Sequence, residues 1–321
     1  MRRDDQLPRI PTEARRNARA LVAFWPRLGL RRPAVSLLAL GLLLAGPRAP
    51  AEAAAKAFLW NIASPTATVH LLGSIHVASR DTYPLDPRIE SAFEQSRVLV
   101  IEAPIDQAAQ LEAGLKMAHA GTYPEADTID MHLDRETLEL LQRHLQRSGT
   151  PFEAVRRFRP WLVATVLILN ELQKAGYQPA LGIDRYFAEK AREQKPIRML
   201  ETVDEQVAVF AGMAERVQEN VLKETLATLD ETSTMMAQAF ASWQTGDATT
   251  LDALLVAPVR TGYPDVFQRL FVDRNRRMAA TLETLLRSGG EYFVVIGAGH
   301  LVGPGGILDL LRSRGYQSVQ Q

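Results

Sequence analysis

The chain predicts an α/β (α+β) fold, a pseudo-symmetric mixed sheet from two similar halves with a largely helical insertion between them. Three observations carry this. Short apolar strands alternate with amphipathic helical stretches. Two strands, TVHLLGSIH (68–76) and EYFVVIGAGH (291–300), end in the same pattern, glycine–x–x–histidine. Two others, RVLVIEAPI (97–105) and KPIRMLET (195–202), carry a glutamate at the apolar end. The first half runs from a His-bearing to a Glu-bearing strand, and the second half reverses that order.

The elements follow in sequence. FLWNI (58–62) and TVHLLGSIH are joined by SPTA, the layout of a hairpin. Two prolines then mark a loop before a helix starting near Pro87. RVLVIEAPI is β-branched, apolar and closed by Pro, which reads as a buried strand. Residues 106–120 and 135–148 have helical periodicity, with an extended excursion between them. RRFRPWLVATVLILNELQKAG (156–176) is a helix with Pro160 in its first turn and Gly176 near its end. Its nine-residue apolar core, WLVATVLIL, suits a buried helix and is too short for a membrane span. LGIDRYFAEKAREQ (181–194) begins another amphipathic helix, and KPIRMLET is a short strand. Residues 203–245, 247–257 and 264–288 are mostly helical. EYFVVIGAGH is the clearest strand, and GILDLLRSRG closes the chain as a helix.

The 321 residues are 46% hydrophobic and 23% charged, an ordinary globular composition. The net charge of zero is unevenly spread. Residues 1–55 hold ten Arg against four acidic side chains, and the remainder is net acidic by about six. That balance excludes a basic nucleic-acid binder, so no nucleic acid is expected as partner. Cysteine is absent, which removes disulfides, thiolate nucleophiles and sulfur-ligated zinc.

Residues 1–55 read as an export leader, and 56–321 as a single domain. A basic segment ends at Arg31–Arg32, and AVSLLALGLLLAG (34–46) supplies a 13-residue apolar core. Such a helix rises only about 20 Å, short for a bilayer. Either Ala-Pro-Ala (49–51) or Ala-Ala-Ala (53–55) fits a cleavage site. The expectation is a periplasmic or secreted protein with a Sec-type signal. A retained membrane anchor through residues 34–46 is the alternative.

Each glycine of the two Gly-x-x-His patterns lets the backbone turn, or lets a neighbour approach closely. His76 and His300 then project beyond strand ends, where α/β proteins bind ligands. Glu102 and Glu201 also sit at apolar strand ends, where a carboxylate is costly unless paired or metal-bound. Two imidazoles and two carboxylates converging would suit a divalent metal such as Mn, Co, Zn or Fe. Such an ion acidifies a coordinated water and polarises a scissile carbonyl. The competing reading is structural, with each carboxylate capping a helix or pairing with an arginine.

GSIH (73–76), Glu102, LGID (181–184), Glu201, DRN (273–275) and GAGH (297–300) together resemble the TraB/PrgY/GumN family, related to the Tiki proteins. The resemblance runs from about residue 58 to 318. It implies that the two Gly-x-x-His motifs and the glutamates form a metal-dependent hydrolase site, as in Tiki members, which act as metalloproteases on secreted ligands. It also implies a scaffold like that of the erythromycin-esterase and ChaN clan. The site residues expected are His76, Glu102, Glu201, Arg274, Asn275 and His300. His76, Glu201 and His300 are the metal ligands among them, and Glu102 is the general base. Arg274 is assigned to an oxyanion or a substrate carboxylate. Asp184 has two readings, a site role and helix N-capping. Ser74 lies within GSIH, but no G-x-S-x-G elbow is present. His70, His119, His132 and His144 have no matching pattern and read as surface or packing residues.

Three functions compete. The first is an exported metal-dependent hydrolase, a peptidase acting on a peptide or protein. The second is a non-catalytic protein that sequesters a peptide, haem or metal. The third is a metal-independent His/Glu esterase. There is no H-E-x-x-H helix, and GAGHLVG lacks the spacing of a dinucleotide fingerprint.

Overall fold

The computed structural model describes residues 56–321, which lie in one compact unit. The leader assigned to residues 1–55 lies outside them. Six strands form one mixed sheet: β1 (Leu59–Ala63), β2 (Ala67–Ser74), β3 (Val98–Ile101), β4 (Ile197–Met199), β5 (Gly290–Gly297) and β6 (Ser318–Gln320). Their spatial order is β4-β3-β5-β2-β1-β6. β2, β3, β4 and β5 run parallel, and β1 pairs antiparallel with β2 and β6.

The expected hairpin is β1–β2. The two strands ending in Gly-x-x-His lie side by side, with Gly73 opposite Ile296 and Ser74 opposite Gly297. The two Glu-bearing strands also pair, as β3 and β4, and the backbone contact continues past them where the Glu201 amide donates to the Glu102 carbonyl at 2.7 Å. The sequence symmetry is therefore a spatial one, and all four motifs leave the same edge of the sheet. β3 and β4 are shorter than the apolar runs suggest. β4 is a three-residue edge strand with Met199 exposed, because only one neighbour pairs with it. β6 had no signal beyond a short C-terminal tail.

The helices are α1 (Pro87–Gln95), α2 (Gln107–Ala120), α3 (Arg135–Ser148), α4 (Pro160–Lys174), α5 (Ile183–Ala191), α6 (Val203–Ala211), α7 (Glu215–Thr228) and α8 (Thr232–Gln244). They continue with α9 (Ala248–Leu251), α10 (Ala257–Gly262), α11 (Pro264–Phe267), α12 (Asp273–Ser288), α13 (Ala298–Leu301) and α14 (Ile307–Ser313). Two π-helical turns, Asp252–Val256 and Gln268–Val272, interrupt the run from α9 to α12. Local chemistry explains several starts. Asp86 caps α1 with Pro87 at its first position, and Thr202 and Glu205 form a capping box on α6. Gly149, at φ 68°, closes α3 in the left-handed conformation.

Two apolar cores result. Around the sheet, Phe93 of α1 and Phe187 of α5 both pack on Phe293 of β5, with centroids 5.6 and 4.7 Å away. A second core joins α3, α4 and α7 through Leu141, Leu145, Val163, Leu167 and Leu222. Trp161 of α4 is buried, as its apolar run predicts, and no described helix is long and apolar enough to cross a membrane. The inserted helices thus stand on a core of their own.

Candidate metal centre

The parallel strands end at Ser74, Ile101, Met199 and Gly297, and the functional side chains follow within a few residues. Neither Gly73 nor Gly297 has a positive φ, so neither is glycine for the sake of a left-handed backbone. They make room. A Cβ on Gly73 would lie 2.5 Å from the Phe58 ring and 3.1 Å from the Ala298 backbone. A Cβ on Gly297 would lie 3.1 Å from Glu102 Oε1, 3.2 Å from His76 Nε2 and 3.6 Å from His300 Cδ2. Three of the predicted groups therefore surround one methyl-sized space above the end of β5.

Both imidazoles are fixed from behind. Asn275 donates from Nδ2 to the Gly305 carbonyl at 2.9 Å, which aims its Oδ1 at His300 Nδ1, 2.6 Å away. An amide oxygen only accepts, so His300 carries its proton on Nδ1 and its Nε2 is left with a lone pair. Burial pushes the His300 pKa down to about 4, so the ring is neutral at physiological pH. His76 Nδ1 meets Asp184 Oδ2 at 2.8 Å, leaving Nε2 on the Gly297 side. The Asp184 charge raises the His76 pKa to about 9, although the side chain is 58% exposed at the mouth of the site. Asp184 reaches His76 because Gly182 allows contact: a Cβ there would stand 2.5 Å from the His76 carbonyl oxygen. Gly182, not Asp184, occupies the N-cap of α5 and no side chain caps it, which separates the two readings of Asp184.

Glu102 is buried and lies between the imidazoles and Arg274. Its Oε1 accepts the Gly297 amide and its Oε2 accepts Arg274 Nη2 at 3.1 Å. Burial opposes its ionisation most strongly, but His300, His76, Arg274 and the amide together hold it well below the usual carboxylate range. Glu102, His76, Asp184, Ser74 and Gln206 line a cavity of about 250 Å³. The Ser74 hydroxyl is buried and has no hydrogen-bond partner.

Glu201 departs from the ligand role expected of it. Its side chain is 1% exposed, and Arg274 Nε holds both its oxygens, at 3.0 and 3.1 Å. Arg274 Nη2 adds a contact of 2.7 Å, and Arg277 stands 3.4 Å away. A carboxylate so engaged has no free lone pair to offer at low cost. Arg274 departs as well. It is nine-tenths buried and spans Glu201 and Glu102, so it stands as the counter-ion of two buried carboxylates; like His300, it lies outside the cavity lining. Asn275 acts on His300 and not on a ligand. His70 pairs with Asn61 at 2.7 Å and His132 stacks on Tyr123, both away from this centre. Gly182 and Gln206 were not among the expected site residues; Gly182 lies inside the quoted LGID, and Gln206 carries no signal.

Among the described residues, no group of three or more His, Asp or Glu side chains stands close enough together to hold a metal ion as placed. The donor chemistry nevertheless fits a divalent ion. Two imidazoles, each with Nδ1 held by an oxygen, face a buried ionised carboxylate across one space, an arrangement that orients metal ligands from their second shell.

A model of the TraB/PrgY/gumN family matches residues 58–320. The chain belongs to the TraB/PrgY/gumN family. Similar proteins include uncharacterized protein YbaP of Escherichia coli, 26% identical over 254 residues, covering 76% of this chain and 87% of that protein. An uncharacterized protein of Treponema pallidum is 23% identical over 270 residues, 79% of this chain and 80% of its own. Metalloprotease TIKI2 of Danio rerio is 24% identical over 317 residues, covering 81% of this chain but 60% of the longer relative. No solved structure matches. The TraB/PrgY/gumN match spans both Gly-x-x-His turns, and the distant metalloprotease relatives suggest a hydrolase relationship.

Proposed function

We propose that this protein is an exported metal-dependent hydrolase that cleaves a peptide or protein. One observation carries the reading: a Glu102 oxygen, His76 Nε2 and His300 Cδ2 all stand within 3.6 Å of the Cβ position of Gly297, and both imidazoles are tethered at Nδ1. These three residues would hold the ion, with Glu102 taking the ligand place first given to Glu201. A divalent ion held there supplies a Lewis acid for a scissile carbonyl and lowers the pKa of water.

The chain's own residues do the rest. Asp184 and Asn275 fix the ring orientations. Arg274 balances the Glu102 and Glu201 charges, so that a buried carboxylate persists beside the site. The Ser74 hydroxyl, unpaired at the cavity, is available to donate to a substrate oxygen. Ile101, Ala103, Ile105 and Val295 give that cavity apolar walls, which restrict water around a bound peptide. Export rests on the basic and apolar layout of residues 1–55.

The test is turnover of a peptide library by purified protein, stripped with chelator and reloaded with Mn, Co or Zn. Cleavage in a reloaded sample and none in the stripped one is expected. Equal cleavage in both would support metal-independent chemistry, and stoichiometric peptide binding without cleavage would support sequestration.

A further inference from the structure

Away from the metal centre, α7, α8 and the helical run 253–263 enclose an open groove of about 1020 Å³. Met235, Leu255 and Val259 form part of its apolar lining, and Glu224, Asp230 and Glu231 add carboxylates. No lysine or arginine lines it. Asp230 is partly answered by Arg147, 4.0 Å away, and the Glu224 carboxylate accepts from the Tyr263 hydroxyl, at 3.3 Å. Among the described residues, neither Glu224 nor Glu231 is paired with a basic side chain. The volume suits several side chains of an extended segment. Apolar walls with unanswered carboxylates select an occupant that is itself apolar and cationic.

The helices that form its walls also reach the two Gly-x-x-His segments. Val256 follows Leu255 directly, and its Cγ2 stands 3.4 Å from the Cβ position of Gly299, beside His300. On the other wall, α8 sends the Trp243 indole N–H to the Gly73 carbonyl. Each wall therefore braces one of the two Gly-x-x-His turns. We propose that this groove binds a cationic, apolar segment of the peptide or protein substrate, outside the bond that is cut. Naming the occupant as substrate rests on the hydrolase reading; the binding itself does not.

The experiment measures fluorescence anisotropy of a labelled octapeptide of alternating Leu and Lys, and of its Leu/Glu counterpart, with the full chain. The Leu/Lys peptide is expected to bind, and the Leu/Glu peptide at least tenfold more weakly. Glu224→Gln with Glu231→Gln should weaken Leu/Lys binding about tenfold and flatten its salt dependence. Leu255→Arg should abolish it, with circular dichroism confirming the fold. His300→Ala should bind the peptide as the wild type does, even where all hydrolysis is lost, so failure of the hydrolase reading leaves this result intact. Equal binding of the two peptides, or unchanged binding by the double variant, would overturn the proposal. So would self-association abolished by Leu255→Arg, which would give the groove to a second copy of the chain.

Discussion

Replacing Arg274 by Met keeps the length of the side chain and removes the charge that two buried carboxylates share. Glu201 is 1% and Glu102 7% exposed at the side chain, and Arg274 makes four of the close contacts that hold them. Breaking a buried ion pair from one side costs about 3–5 kcal/mol, since the abandoned charge stays desolvated. For a domain of this size, about 2–4 °C accompanies each kcal/mol, so melting should fall by about 6–20 °C at pH 7.5. The sign with pH is distinctive. In the wild type, the depressed Glu102 pKa adds stability that is present above its ordinary value of 4.5 and is lost as pH falls through the folded value. In the variant, the cluster must take up a proton to fold, so acidification becomes favourable by about 1.4 kcal/mol per pH unit. Calorimetry of metal-free protein at pH 7.5 and 5.0 should show the deficit shrinking at the lower pH. A loss below about 1 kcal/mol, equal at both pH values, would refute the buried-cluster account.

Two further substitutions probe the centre from opposite sides. Gly297→Ala sets a methyl among Glu102, His76 and His300 at a backbone φ that alanine tolerates. Metal affinity should fall at least tenfold while stability drops by only about 1 kcal/mol, because exposed His76 can swing aside; titration calorimetry with an unchanged affinity would contradict this. Asp184→Asn should lower the His76 pKa from about 9 toward its ordinary 6.5, read by NMR titration of the ring protons in metal-free protein. It should also weaken metal binding by about 10–100-fold through loss of ring orientation. A His76 titration indifferent to Asp184 would deny the pairing.

Much of the sheet was legible because its signals are local. The hairpin, the buried α4 and the β5 run announce themselves in apolar periodicity and punctuation. The repeated Gly-x-x-His pointed to two histidines at a shared set of strand ends, but not to the direct pairing of β2 with β5. The roles of the two glutamates were less legible. Glu102 and Glu201 look the same in sequence, each a carboxylate after an apolar run. Which one faces the cavity depends on Arg274, whose guanidinium arrives from a helix 73 residues beyond Glu201. The glycines were partly legible: close approach of a neighbour was expected at Gly73 and Gly297, where a ring and the site press in, while the carbonyl against Gly182 left no sign in the sequence. The π-helical turns and β6 had no local signal, because both are imposed by packing at a distance.

Anomalous diffraction from crystals of the protein loaded with one equivalent of Zn or Mn tests the central claim most directly. One peak is expected above Gly297, bound by Nε2 of His76, Nε2 of His300 and a carboxylate oxygen of Glu102 at about 2.0–2.2 Å, with Glu201 still clamped on Arg274. A peak elsewhere, or a site in which Glu201 has left Arg274 to replace Glu102, would contradict the account.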